Sequence, residues 1–164
     1  MDLFIKLLAD GLMVPIVLIG IYALVWKIPH NQKIEKYGRM VMAGLTALLL
    51  AKLVGAVWQP DAARPFIEMG AQAKAAYLDN KGFPSDHVLF SSVIAFAVWF
   101  EARQKKIAVL LFILVVLVAL GRVLALVHTP LDCLGGFIFA AFGALWYLAK
   151  PPAENVQPAQ AKKK

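Results

Sequence analysis

The stretch IAVLLFILVVLVALGRVLALV, residues 107–127, decides the fold of this chain. Arg122 is its single charged residue, and its 21 residues match the length of about 20 that an α-helix needs to cross a bilayer core. The whole chain has a similar character, with 61% hydrophobic residues, 16% charged residues and a mean hydropathy of +0.71. Soluble domains contain about 25% charged residues. We therefore predict a membrane protein.

Five segments in all approach the length of a membrane span, and the third does so only if its helix begins near Ser85 and continues through Glu101. The segments are Leu3–Trp26, Met40–Trp58, Val88–Phe100, Ile107–Val127 and Leu131–Ala149. No long linker separates them, so we predict an all-α, polytopic transmembrane helix bundle of about five spans, forming a single domain over residues 1–150. Residues 151–164 are rich in Pro, Ala, Gln and Lys, and we expect a disordered tail.

Basic residues predict the orientation of the spans, because short cytoplasmic loops carry an excess of Lys and Arg. They cluster in the first loop, the third loop and the tail, as Lys27, Lys33, Lys36, Arg39, Arg103, Lys105, Lys106, Lys150, Lys162, Lys163 and Lys164. With five spans these regions, including the C-terminus, would be cytoplasmic. The N-terminus, the loop 59–86 between spans 2 and 3, and the turn 122–132 would be extracytoplasmic. Within the loop, we expect Ala71–Leu78 to form a short surface helix.

The same clusters account for the net charge of +7 and the pI near 9.6. Because they lie between apolar runs, we expect them to contact anionic lipids at the cytoplasmic face, and we expect no nucleic-acid partner.

Polar and ionisable residues gather at the extracytoplasmic ends of the spans. They are Arg64, Ser85, Asp86, His87, Arg122, His128 and Asp132. Such residues are costly at the edge of a bilayer, so they indicate a functional site. Cleavage of a phosphate ester needs cationic donors for the oxygens, a nucleophile or positioned water, and an acid for the leaving group. These side chains can supply all three. Taken alone, Arg122 would be read as an arginine that reaches out to the interface.

His128 and Asp132 stand four residues apart, with Pro130 suited to the first turn of the last span. On a helix, this spacing lets the carboxylate accept the Nδ1 proton of the imidazole and leaves Nε2 free as a nucleophile or base. In isolation, the pair is more typical of an N-terminal helix carboxylate beside an interfacial histidine.

Ser85 is positioned to be the N-cap of the third span, where unpaired backbone N–H groups also favour an anion. His87 would stand next to that anion. There it could protonate a leaving oxygen, or it could simply face interfacial water.

The segments Pro84-Ser85-Asp86-His87 and Gly121-Arg122-x5-His128-x3-Asp132 resemble two signature motifs of the type 2 phosphatidic acid phosphatase superfamily. These motifs, the second and third, are usually written P-S-G-H and S-R-x5-H-x3-D. Arg64-Pro65 is similar to the end of the first motif, K-x6-R-P, and lies upstream as the family order requires. In having Asp86 where the second motif usually has Gly, the chain resembles the small bacterial undecaprenyl diphosphate phosphatases.

The resemblance implies that His128 attacks phosphorus and forms a phosphohistidine, that Asp132 orients it, and that His87 protonates the leaving group. It implies that Arg64, Arg122, Ser85 and backbone N–H groups near Asp86 hold the phosphate oxygens, without a metal or other cofactor. The implied substrate is a membrane lipid, undecaprenyl diphosphate, which would lose its terminal phosphate at the outer face of a bacterial inner membrane.

Three departures from the family pattern carry expectations of their own. The position seven residues before Arg64, where the family has lysine, is Val57, so Lys52 or Lys81 would have to supply the missing cation. Gly121 in place of Ser removes a hydroxyl donor. Asp86 adds a negative charge beside an anionic substrate, so its side chain should point away or pair with a cation.

Three alternatives stay open on the sequence. The first is a phosphatase for phosphatidylglycerophosphate or another glycerolipid phosphate. The second is a membrane metalloenzyme that uses His87, His128, Asp132 and Asp86 as ligands, since His and carboxylate suit Zn or Mn. The third is a non-catalytic carrier or binding module for phosphorylated lipid.

Overall fold

The computed structural model describes residues 2–60, 63–78 and 82–149, and this part of the chain is all-helical. The helices are α1 (Asp2–Lys6), α2 (Met13–Trp26), α3 (Lys33–Val57), α4 (Pro65–Glu68), α5 (Asp86–Phe100), α6 (Lys105–Leu124) and α7 (Pro130–Gly143). A π-helical turn, Leu7–Gly11, joins α1 to α2, and 3-10 turns cover His30–Gln32 and Ala144–Leu148. Lys81 and the tail 151–164 lie outside the described residues, so the expectations for them stay predictions.

Four helical units of the described chain are long and apolar enough to cross a membrane. They are Asp2–Trp26, His30–Val57, Lys105–Leu124 and Pro130–Leu148. α5 is also apolar but has 15 residues, which correspond to about 22 Å. It begins after Ser85 and ends before Glu101, at the boundaries that the predicted third span required. The prediction of a polytopic helix bundle is confirmed.

α5 is central in the bundle, which is why it can be shorter than a lipid-facing span. It packs against α2, α6 and α7. Its buried side chains point in several directions and include Val88, Leu89, Ser91, Ser92, Ala95, Ala97 and Val98. The outer helices instead expose large apolar side chains such as Leu18, Leu49 and Val116, as expected where the surrounding medium is hydrocarbon.

Glycines on α7 allow close approach of the neighbouring helices. A Cβ atom added at Gly136 would lie 2.6 Å from the carbonyl oxygen of Ser85, and one at Gly143 would lie 2.3 Å from that of Ala43. Small residues at such contacts are typical of helix pairs in membranes. Gly136 thereby brings the middle of α7 against the start of α5.

The basic loops lie together at the far end of α5 from the residues predicted to form a site. Lys27, Lys36, Arg39 and Arg103 line a cavity of about 510 Å³ there with Glu101. Glu101 is 2% exposed and accepts hydrogen bonds from Arg39 Nε at 2.8 Å and Nη2 at 3.0 Å. The bundle thus has one basic end and one end that carries the candidate site.

The predicted surface helix over Ala71–Leu78 is wrong. This segment is irregular, and the short helix of the loop is α4. Its backbone N–H groups bind elsewhere: Lys74 N donates to Ala125 O at 3.1 Å, and Ala76 N donates to Asp10 Oδ2 at 2.9 Å. Tertiary partners for these amides replace the local hydrogen bonds that a helix would need.

Candidate active site

A cavity of about 150 Å³ lies where α5 begins and α6 ends. Five of the predicted site residues line it: Arg64, Asp86, His87, Arg122 and His128. They come from three segments remote in sequence. Pockets for drug-sized ligands occupy about 300–1,000 Å³, so this cavity has the size of a small head group.

His128 and Asp132 make the predicted contact. The Nδ1 atom of His128 lies 3.3 Å from Asp132 Oδ2, and the two residues are 5% and 3% exposed. Burial lowers the pKa of His128 below its ordinary value, and the hydrogen bond with Asp132 opposes this shift only in part. The imidazole is therefore neutral at neutral pH. When Nδ1 donates to Asp132, Nε2 carries no proton and can act as a nucleophile.

Asp132 also has the structural role that the sequence left open. Thr129 N donates to its Oδ2 at 2.9 Å, and Asp132 N donates to Thr129 Oγ1 at 3.3 Å. This capping box starts α7, with Pro130 in its first turn. The cap and the histidine contact share one carboxylate oxygen, so the helix start orients the imidazole.

Arg64 is buried and connects the loop to the turn that precedes His128. Its guanidinium donates to the carbonyl oxygens of Val127 and Leu78, the latter at 3.1 Å, and lies 5.4 Å from the ring centre of Tyr77. These contacts fix the guanidinium at the wall of the cavity. A guanidinium suits phosphate oxygens because its N–H donors form a planar fork.

Arg122 is 1% exposed and binds a carboxylate that sequence reasoning missed. Its Nη1 atom donates to Asp10 Oδ1 at 2.7 Å. His87 Nε2 lies 3.6 Å from the same oxygen. Asp10 belongs to the π-helical turn of the first span, and the available signal was an isolated carboxylate within an apolar run.

Asp86 pairs with a cation, as the sequence led us to expect. Lys52 Nζ lies 2.9 Å from its Oδ1 and 3.1 Å from its Oδ2. Lys52 lines a neighbouring cavity with Asp86 and is not part of the wall of the 150 Å³ cavity. Val57, at the position of the family's lysine, is 86% exposed. Lys52 therefore contacts the second motif by its ion pair with Asp86.

Ser85 is not part of the cavity wall. It is fully buried at the N-cap position of α5, but its side chain does not cap the helix. Its backbone N–H donates to Asp132 O at 3.0 Å. Gln59, which the sequence did not single out, holds Phe83, two residues before Ser85: its Oε1 accepts from Phe83 N at 3.1 Å and its Nε2 donates to Phe83 O at 3.0 Å.

The ligand set of the metalloenzyme alternative does not assemble. In the described parts of the chain, no three His, Cys, Asp or Glu side chains are grouped so that they could hold a metal ion. Asp132 faces His128 and Thr129, and Asp86 faces Lys52.

Residues 37–155 match the family model of the PAP2 superfamily. The chain belongs to this superfamily. An Escherichia coli (strain K12) protein named "Putative undecaprenyl-diphosphatase YbjG" is 28% identical over 140 residues, which cover 84% of this chain and 67% of that protein. No solved structure matches the chain significantly. PAP2 membership and the apolar helices make the chain a membrane-embedded lipid phosphatase. The first span, with Asp10, precedes the region that matches the PAP2 model.

Proposed function

We propose that this phosphatase removes the terminal phosphate of a polyprenyl diphosphate, converting undecaprenyl diphosphate to undecaprenyl phosphate, through a phosphohistidine on His128. The observation that carries the proposal is the convergence of two histidines and two arginines on one small cavity, with Nδ1 of His128 facing Asp132. This arrangement offers a nucleophile, an acid and cationic donors around a space of head-group size.

In the first step, Nε2 of His128 attacks the terminal phosphorus. The N–P bond forms as the bond from phosphorus to the bridging oxygen breaks, and protonated His87 gives its proton to that oxygen. Arg64 and Arg122 hold the phosphoryl oxygens, where negative charge must be stabilised. Asp132 stabilises the positive charge that develops on His128.

In the second step, water attacks the phosphohistidine. The new O–P bond forms as the N–P bond breaks, and neutral His87 accepts a proton from the water. Inorganic phosphate leaves, and both histidines return to their starting states.

An apolar groove of about 330 Å³ supports a lipid substrate with a long hydrocarbon chain. Its walls include Val88 and Val123, the residues that follow His87 and Arg122 in sequence, together with Leu120, Pro130 and Leu134. Leu120 and Leu134 are more than half exposed, so the groove opens toward lipid. A polyprenyl chain would lie along this groove while its diphosphate enters the polar cavity.

We further propose that the active-site end faces the extracytoplasmic side of a bacterial inner membrane and the basic end faces the cytoplasm, following the distribution of Lys and Arg. Exposed Gln72 and Gln32 lie at the two ends. In intact cells, a Gln72→Cys variant should react with a membrane-impermeant thiol reagent. A Gln32→Cys variant should react only after lysis, and the reverse pattern would contradict this orientation.

The proposed reaction is tested by phosphate release from undecaprenyl diphosphate, in the presence of EDTA, by the purified full chain. We expect turnover by the wild type and a loss on the order of 10³-fold or more in His128→Ala. His30, an exposed histidine at the basic end, provides the matched control, because His30→Ala should retain activity. Wild-type rates in His128→Ala would contradict the covalent mechanism.

The same assay separates the alternatives. Faster release from phosphatidylglycerophosphate than from undecaprenyl diphosphate would favour a glycerolipid substrate. Loss of activity in EDTA would favour the metalloenzyme, and tight lipid binding without phosphate release would favour a carrier.

A further inference from the structure

Asp10 enters the active site from outside the region that matches the PAP2 model, which starts at residue 37. One carboxylate oxygen accepts a hydrogen bond from Arg122 Nη1 at 2.7 Å and lies 3.6 Å from His87 Nε2. The other accepts from Ala76 N at 2.9 Å. A single carboxylate thus joins the first span, the extracytoplasmic loop and two residues of the cavity wall.

Gly121 explains how the first span comes so close. It stands where the family's third motif has serine. A Cβ atom at this position would lie 2.5 Å from Ala9 N and 2.6 Å from the carbonyl carbon of Leu8. Real Cβ atoms do not approach backbone atoms so closely. The backbone of Leu8–Ala9 therefore occupies the space of the missing side chain, and Asp10 follows directly.

The local conformation of the first span fits the same arrangement. Residues Leu7–Gly11 form a π-helical turn within an otherwise α-helical segment. Such turns are rare and occur frequently at functional sites. The π turn packs against α6.

We infer that Asp10 is a positioning residue of the active site, which holds Arg122 and the ring of His87 in place for the phosphate, and that Gly121 is glycine to admit it. This inference rests on the proposed function, because it assigns Asp10 a role toward residues that would bind and protonate the substrate.

The flexibility of an arginine side chain favours a positioning role for Asp10. An arginine side chain has many rotamers, and ordering it only when phosphate binds would weaken binding. The ion pair with Asp10 orders Arg122 beforehand through Nη1 and leaves other guanidinium N–H groups for the phosphate. Ala76 N fixes the carboxylate in turn, so Asp10 is itself held from the loop side.

The test is a double-mutant cycle on the purified full chain, read out as phosphate release per folded protein and as inhibition by inorganic phosphate. Asp10→Ala alone should lower kcat/KM at least about tenfold and weaken inhibition by phosphate, since small misplacements of catalytic groups cost up to about 10²-fold. In an Arg122→Ala background, Asp10→Ala should cost at most about twofold, because the group it orders is gone. Asp10→Asn, whose carbonyl oxygen can accept the same hydrogen bond, should recover most of the inhibition by phosphate.

Asp2→Asn is the matched control, because Asp2 is a carboxylate of the same span that pairs with Lys74 and lies outside the cavity. It should behave as wild type. The inference would be overturned if the double variant lost activity by the product of the two single losses. Wild-type kinetics in Asp10→Ala would also overturn it. If His128→Ala is inactive while Asp10→Ala is normal, the inference fails and the proposed function stands.

Gly121 gives a second, independent arm. Gly121→Ser restores the family's residue but should lower activity at least about tenfold, and Gly121→Ala should do the same, since the Cβ atom is the obstacle. Gly38→Ser is the control, because nothing lies within 4 Å of a Cβ atom there. Normal or increased activity in Gly121→Ser would contradict the coupling between Gly121 and the first span.

Discussion

Lys52 Nζ lies 2.9 Å from Asp86 Oδ1, so that a lysine of α3 neutralises the carboxylate that replaces the glycine of the family's second motif. Their side chains are 55% and 23% exposed. An ion pair with this exposure contributes about 0–1 kcal/mol to stability. Its effect should therefore appear in the electrostatics of the cavity, where Asp86 without Lys52 would repel an anionic substrate.

We predict that Lys52→Met raises KM by roughly fivefold, equivalent to about 1 kcal/mol, with little change in thermal stability. Removing the carboxylate as well, in Lys52→Met/Asp86→Gly, should return KM to within about twofold of wild type. Lys74→Met removes another exposed pair, with Asp2, and should leave KM unchanged. A wild-type KM in Lys52→Met would show that the charge of Asp86 does not affect substrate binding.

The pH dependence should report His128, whose neutral form must attack phosphorus. Because burial lowers the pKa of His128, the acid limb of the activity profile should lie below the ordinary pKa of histidine, and activity should decline as the pH falls through it. The contact with Asp132 raises the pKa, so Asp132→Asn should move this acid limb of kcat/KM to lower pH. The maximal rate should fall on the order of 10²-fold or more, because the amide no longer selects the correct tautomer.

Thr129→Ala separates the cap from the histidine contact. Loss of the hydroxyl removes the acceptor of Asp132 N but leaves the carboxylate in place. We expect a cost of about 1 kcal/mol in stability and no shift of the acid limb. If the acid limb of Asp132→Asn moved to higher pH, the claim that Asp132 raises the pKa of His128 would be refuted.

His87 should matter in proportion to the basicity of the leaving group. If His87 protonates the leaving oxygen, His87→Ala should slow an unactivated phosphate ester by about 10²-fold or more, and an aryl phosphate with a good leaving group much less. Paired kcat measurements on the two substrates test this expectation. Equal losses on both would argue against an acid role.

The basic end of the bundle offers a stability comparison around one arginine. Arg39 binds buried Glu101 through Nε and Nη2, and binds Glu35, whose side chain is 52% exposed, through Nη1. Glu101→Ala should destabilise the protein by about 1.5–3 kcal/mol, since it removes a buried carboxylate that accepts two charged hydrogen bonds. Glu35→Ala should cost at most about 1 kcal/mol. Thermal or denaturant unfolding of the two variants in detergent measures the difference, and equal costs would contradict it.

Hydropathy was sufficient to predict the spans, because crossing a bilayer depends on the length and apolarity of each segment by itself. The helix of the second predicted span, α3, begins at Lys33, seven residues before Met40, because polar residues extend the helix beyond the apolar run. Hydropathy could not reveal that α5 is central, since an apolar helix looks alike whether it faces lipid or protein. The irregular path of 71–78 was equally hidden, because its amide partners lie elsewhere in the chain.

Local spacing also predicted the contact of His128 with Asp132, because α7 begins at Pro130, between the two residues, and its first turn brings them together. The sequence alone determined a bundle of apolar spans and the types of residue that lie near the ends of those spans. Only the tertiary structure decided the partners of Arg122 and Asp86. Asp10 and Arg122 are 112 residues apart, and they meet because a glycine lets two helices approach, a property of the packed pair that neither segment contains.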